Sequence, residues 1–172
     1  MQTPRDSEMV GLVDRWGAHF GWFDGKIDLG IHDFSAFATS DCTVTAHAPL
    51  WGTKEGAERA IPIQDVRQQL ARLLKWARVT RRDMQLAIHP DGDALGIFVR
   101  VEGRLPLLPI TVRTMRLAFV VTAAKTADGL RISKVDEWSA ADPEAARRIL
   151  VDHHDWPADT ALHPQVAFGA VS

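Results

Sequence analysis

Four side chains in the sequence have the chemistry to move a proton or to hold developing negative charge: His19, His47, Arg113 and Asp136. Asp136 shares the alternation of Leu130, Ile132 and Trp138 along an apolar stretch. If those residues face an interior, the carboxylate faces it with them, and desolvation tunes such a group for general acid or base work. A bulge that flips the register, or a salt bridge to an arginine such as Arg113, instead gives Asp136 a structural role. His47 closes the β-branched run DCTVTAH and precedes Ala48-Pro49. An imidazole there is either a base near neutral pH or a turn histidine bonded to backbone. Arg113 alternates with Met115, Leu117 and Phe119, so it either brings a guanidinium to an oxyanion or carboxylate or reaches solvent from a strand end. His19 stands one helical turn from both Trp16 and Phe23, a position open to a polar pocket group or to a core histidine.

Trp16, Phe20, Trp51, Phe98, Phe119 and Trp138 are the aromatic residues that can line an apolar pocket for a ring-containing molecule or pack a core. Six tryptophans and seven phenylalanines stand against no tyrosine, so the chain has no phenolic proton donor. His153, His154 and Asp155 suggest a metal at first, but adjacent side chains diverge and no His-x-x-x-His spacing or cysteine partner completes a ligand set. No metal is expected. No nucleophile elbow and no Gly-rich phosphate loop occur, which argues against serine-hydrolase and nucleotide chemistry.

The elements that must position these residues follow from periodicity. Met9, Val13, Trp16, Phe20 and Phe23 recur at helical steps behind Ser7, and Ile31, Phe34 and Phe37 form a shorter amphipathic stretch after Asp28. Residues 41–47 read as a strand, followed by an irregular turn holding Trp51, Gly52 and Gly56. Pro62 starts a helix whose buried stripe is Val66, Leu70, Leu73, Leu74 and Ala77. The period then becomes two: Met84, Leu86 and Ile88, a turn over 90–93, then Leu95, Ile97, Val99 and Val101 predict a hairpin. A proline-bearing loop over 103–109 leads to a long strand over 110–125, and Asp128-Gly129 turns into a last strand over 130–138. Asp142-Pro143 predicts the cap and first turn of a short helix to about Val151, and an irregular tail follows. The order predicts an α+β fold with helices on one face of a curved sheet that wraps around a pocket.

At 172 residues the chain is sized for one domain with a real core. A formal charge of −2 lacks the basic excess that drives binding to a nucleic-acid backbone. The single cysteine, Cys42, allows no intrachain disulfide and fits a reducing compartment. The N-terminus has no apolar leader core, and no run reaches the roughly 20 apolar residues of a membrane span. These features predict a cytoplasmic protein that contacts neither nucleic acid nor membrane.

The element order, with FDGKIDLG, FATSDCTVTAHAP, HPDGDAL and GLRISKVDEW at its joints, resembles the nuclear transport factor 2-like superfamily, particularly its SnoaL-like branch with the polyketide cyclases, ketosteroid isomerases and scytalone dehydratase-like proteins. The resemblance covers residues 7–139, within a single domain of 1–172 whose C-terminal helix and tail occupy 142–172. It implies a cone-shaped, curved and mostly antiparallel sheet enclosing an apolar pocket. It also places His47 near the general-base aspartate of the isomerases, with an Ala-Pro turn in place of Asp-Pro. His19 falls on the helix that carries an oxyanion-donating tyrosine in those enzymes, and Arg82 falls where many SnoaL-like members have histidines.

The resemblance and these residues together predict a cofactor-free lyase, dehydratase, isomerase or aldol-type cyclase acting on an apolar cyclic or aromatic small molecule. His47 and Asp136 would be base and acid, with His19 or Arg113 stabilising negative charge. The alternative is a non-catalytic binding or dimerisation module of the same fold. A homodimer through the outward sheet face is also expected, because Phe98, Val112, Ala118 and Val120 form an apolar set on the parity opposite the pocket.

Overall fold

The computed structural model describes residues 8–12, 37–47, 59–66, 68, 78–105 and 110–164. The strands are β1 (Ala38–Ala46), β2 (Arg59–Pro62), β3 (Arg78–Ile88), β4 (Ala94–Arg104), β5 (Thr111–Thr126), β6 (Gly129–Ser139) and β7 (His163–Pro164). They form one sheet in the order β2-β1-β6-β5-β4-β3-β7. Strands β3 to β6 make an antiparallel meander, and β1 runs parallel to β6 and antiparallel to β2. The architecture is α+β, a curved and mostly antiparallel sheet of the cone type.

The alternating apolar residues and tight turns produce the meander. Gly92, at φ 68°, supplies the left-handed residue of the β3–β4 turn, and Gly129, at φ 108°, does so between β5 and β6. Strand β1 starts at Ala38, β3 starts at Arg78, and β2 lies in a stretch expected to be irregular. The tail expected to be irregular contributes β7, which pairs with β3 at Gln85 and Leu86.

Each sheet face buries a different apolar set. On the concave face, Leu95, Ile97, Val99, Leu117, Phe119, Val121, Ile132 and Val135 pack with Met9, Leu12, Ile63 and Val66 from helical residues 8–12 and 63–66. The remaining predicted stripe residues of these two helices lie outside the described residues, as does the short helix after Asp28 except for Phe37, which is a buried turn residue before β1. On the convex face, Phe98, Ala118, Val120 and Ala94 meet Ala146, Leu150 and Trp156.

That convex cover is the C-terminal helix, Pro143–His154. The Asp142 carboxylate accepts from the Ala145 N–H at 2.7 Å, Pro143 opens the first turn, and left-handed Asp155 ends the helix. Gly96 permits its close approach, since a Cβ there would stand 2.7 Å from Leu150 Cδ1. The helices therefore occupy both sheet faces, not one. Phe98, Ala118 and Val120, which suggested an intermolecular face by their parity, are buried within the chain by this helix. Among the described residues no helix is long and apolar enough to cross a membrane.

Candidate functional site

Strand β6 sets the site, and a bulge decides what each of its side chains faces. Ile132 pairs with Ala123 and Lys134 with Thr122, so Ser133 is the extra residue. Before it, Leu130 and Ile132 face the concave core; after it, Val135 does. Lys134, Asp136 and Trp138 consequently lie on the convex side, where Asp136 pairs with Val120 and Trp138 with Ala118. The expectation that Asp136 faces the cone with Leu130 and Ile132 is thus corrected by a one-residue flip. Trp138 moves with it.

Asp136 is 2% exposed, and its two oxygens are held by different cations or donors. Oδ1 lies 3.1 Å from His47 Nε2 and Oδ2 lies 2.9 Å from Lys134 Nζ. Buried carboxylates need such partners, because an unpaired charge in a poorly solvated place is costly. His47 reaches this position because the β1–β6 ladder continues one step past Ala46: the His47 N–H donates to the Glu137 carbonyl at 2.7 Å. Its ring stacks on Trp138 with centroids 3.9 Å apart and planes 7° apart. The other neighbours of Trp138 come from the C-terminal helix, with His153 stacked at 4.6 Å and His154 edge-on at 6.2 Å. Burial pushes the His154 pKa down, and the Asp136 carboxylate opposes that shift.

The bulge also turns Glu137 onto the concave face. It pairs with Phe119 on β5 and Ala46 on β1, follows the parity of Val135, and is 3% exposed. Sequence alternation passed over this residue. The available trace was Val135, an apolar residue out of step with Leu130 and Ile132, which marks where the buried parity changes.

The other predicted site residues divide by location. Phe119 lies on the concave face, as expected. Phe98 was expected to line the pocket but lies beneath the C-terminal helix, because its parity on β4 is that of Ala94. Arg113 follows the concave parity of Met115 and Leu117 and is exposed at the rim of β5. Arg82 is a β3 residue paired with Arg100. His19, Trp16, Phe20 and Trp51 lie outside the described residues.

Two further features bound the chemistry. Burial, reinforced by the Asp41 carboxylate, pushes the Cys42 thiol up to about 12, so it is not a thiolate nucleophile near neutral pH. Among the described residues no cluster of three or more His, Cys, Asp or Glu side chains is placed to hold a metal ion. A cleft of about 600 Å³ opens at the β3 edge between Leu86, Ile88, Val10 and the 157–164 segment, and it contains none of the predicted site residues.

No protein-family model and no curated protein sequence matches the chain. Solved structures do. The BvnE pinacolase of Penicillium brevicompactum aligns over 90% of this chain and 97% of its own, with a TM-score of 0.57 and 9% identity. A protein of Jannaschia sp. CCS1 assigned as a SnoaL-like polyketide cyclase aligns over 80% and 88%, with a TM-score of 0.51 and 14% identity. A Catenulispora acidiphila protein with a ketosteroid isomerase-like fold, solved with trimethylamine, aligns over 81% and 88%, with a TM-score of 0.50 and 15% identity. With the mixed sheet and strand order already described, these likenesses place the chain in the nuclear transport factor 2-like fold, in the form shared by SnoaL-like and ketosteroid isomerase-like proteins.

Proposed function

We propose that the chain is an acid–base enzyme of the lyase, dehydratase, isomerase or aldol-type cyclase kind, acting on an apolar cyclic or aromatic small molecule held against the concave face. The observation that carries this reading is Glu137, a carboxylate 3% exposed that the β6 bulge turns to the concave face beside Phe119 and Val135. A carboxyl group positioned against a bound molecule can exchange a proton with its carbon or oxygen atoms. In this scheme Glu137 takes a proton from the substrate and returns it to a neighbouring atom or to a leaving oxygen. Arg113, at the rim on the same parity, supplies positive charge for the oxygen that becomes negative.

A second reading moves the proton to His47, with Asp136 orienting the imidazole. The 3.1 Å contact between them supports it, since a carboxylate at one ring nitrogen fixes the tautomer at the other. A third keeps the fold as a binding module without turnover.

One experiment separates them. The protein is screened by thermal shift against steroid, polyketide-like and lignin-derived aromatic compounds, and each hit is incubated with wild type, Glu137→Gln, Asp136→Asn and His47→Ala before mass spectrometry. Product from every form except Glu137→Gln supports the first reading. Product lost with His47→Ala and Asp136→Asn but retained with Glu137→Gln transfers the role to the histidine pair. Tight binding with no product from any form leaves a binding module.

A further inference from the structure

Beyond the end of the C-terminal helix, the convex face changes character from apolar to basic. Phe98 and Ala118 are buried under that helix, whereas the next residues of the same parity are Arg100 on β4 and Arg116 on β5. These two arginines are directly paired across the strands, and Arg82 on β3 is directly paired with Arg100. Three consecutive strands therefore place an arginine at one register row, which spans about 10 Å at the normal strand spacing. Arg104 adds a fourth two residues further along that face of β4.

Like charges directly opposite one another weaken a strand pair. The carboxylates nearby meet only part of this demand. Asp83, left-handed at φ 50° in the bulge of β3, contacts Arg100 at 2.8 Å. Glu102 lies 3.8 Å from Arg100 and 3.1 Å from Arg104. Arg116 is exposed and has no carboxylate within salt-bridge distance among the described residues. The Nε atoms of Arg100 and Arg104 are buried donors without a hydrogen-bond partner. Among the described residues, Arg116 and the Nε atoms of Arg100 and Arg104 are thus donors without an acceptor, and the side chains of Arg100 and Arg104 are 35% and 40% exposed.

We propose that Arg100, Arg104 and Arg116 form a binding site for a multiply charged oxyanion of the phosphate type. Such a group accepts several guanidinium hydrogen bonds at once and cancels the repulsion along the row, which a chloride ion does less well. The site is separate from the cone and independent of the reading given for Glu137, since the two lie on opposite sheet faces.

The test uses the full chain titrated with inorganic phosphate and with phenyl phosphate, each against sodium chloride of equal ionic strength, by calorimetry and thermal shift. Saturable phosphate binding absent in chloride is expected, and Arg116→Gln should weaken it about tenfold, the loss of one charge-assisted contact. Lys125→Gln, an exposed cation at the far end of the same strand, should leave it unchanged. In chloride alone Arg116→Gln should raise the melting temperature or leave it level, because a like charge is removed. Equal affinity for both probes assigns recognition to the phosphate group alone, and tighter binding of phenyl phosphate assigns it to an organic monoester. Indistinguishable titrations in phosphate and chloride, or phosphate affinity unaltered by Arg116→Gln, would overturn the proposal.

Discussion

Asp136 and Glu137 are adjacent carboxylates, exposed by 2% and 3%, yet the strand turns them to opposite sides of the sheet. Asp136 lies against Lys134 and His47 on the convex side, beneath the C-terminal helix. Glu137 lies among Phe119, Val135 and Ala46 on the side that holds the main core. Equal burial therefore comes with different neighbours: one carboxylate shares its face with the C-terminal helix, the other with the main core.

The first way to test this contrast is to remove the bulge. Deleting Ser133 would let Ile132 on Ala123 and Lys134 on Thr122 follow one another in an unbroken ladder, with Lys134, Asp136 and Trp138 still on the convex side and Val135 and Glu137 still on the concave one. A folded protein is expected, checked by circular dichroism and soluble yield, and its loss would show that the faces are not set by this one residue. Glu137→Gln keeps the shape and removes the carboxyl group. It should lower turnover of an identified substrate by roughly 10²–10⁴, the usual contribution of a positioned acid or base, with a small change in melting temperature. Asp136→Asn should act in the reverse sense. It should cost roughly 2 kcal/mol, a drop of about 4–8 °C in a chain of this size, while turnover stays within a few-fold of wild type.

Two smaller effects sharpen the convex half of the comparison. Gly96→Ala would press a methyl group against Leu150 and Trp156, with a cost of about 1 kcal/mol read from chemical denaturation. For His154, whose pKa burial lowers from the ordinary 6.5, the unfolded chain takes up the proton first as the pH falls. Stability should then decline from about pH 6.5 down to the folded-state value, and His154→Gln should flatten that decline by about a degree or two in melting temperature.

Much of the architecture was legible because it rests on local signals. The β3–β4 and β5–β6 turns stand at the expected glycines, and Asp142-Pro143 caps the C-terminal helix where the sequence predicts. Strand β2 was not legible, because a four-residue segment ending in proline carries too little alternation to stand out from a loop. Of the candidate residues, His47, Asp136 and Trp138 lie together, but on the face opposite to the one that alternation predicts for Asp136 and Trp138. One unpaired serine inverts that face without altering composition or average hydropathy, and only Val135 carries the trace.

The two ends of the sheet bear on how the molecule behaves in a crowded solution. A long exposed edge strand is a template for chain-to-chain growth, and the strands at both edges here are short: β2 has four residues and β7 has two. Each ends in a proline, Pro62 or Pro164, which has no N–H to offer an incoming strand. Where β2 and β7 form the border, backbone chemistry therefore discourages extension of the sheet whatever side chains those two short strands carry.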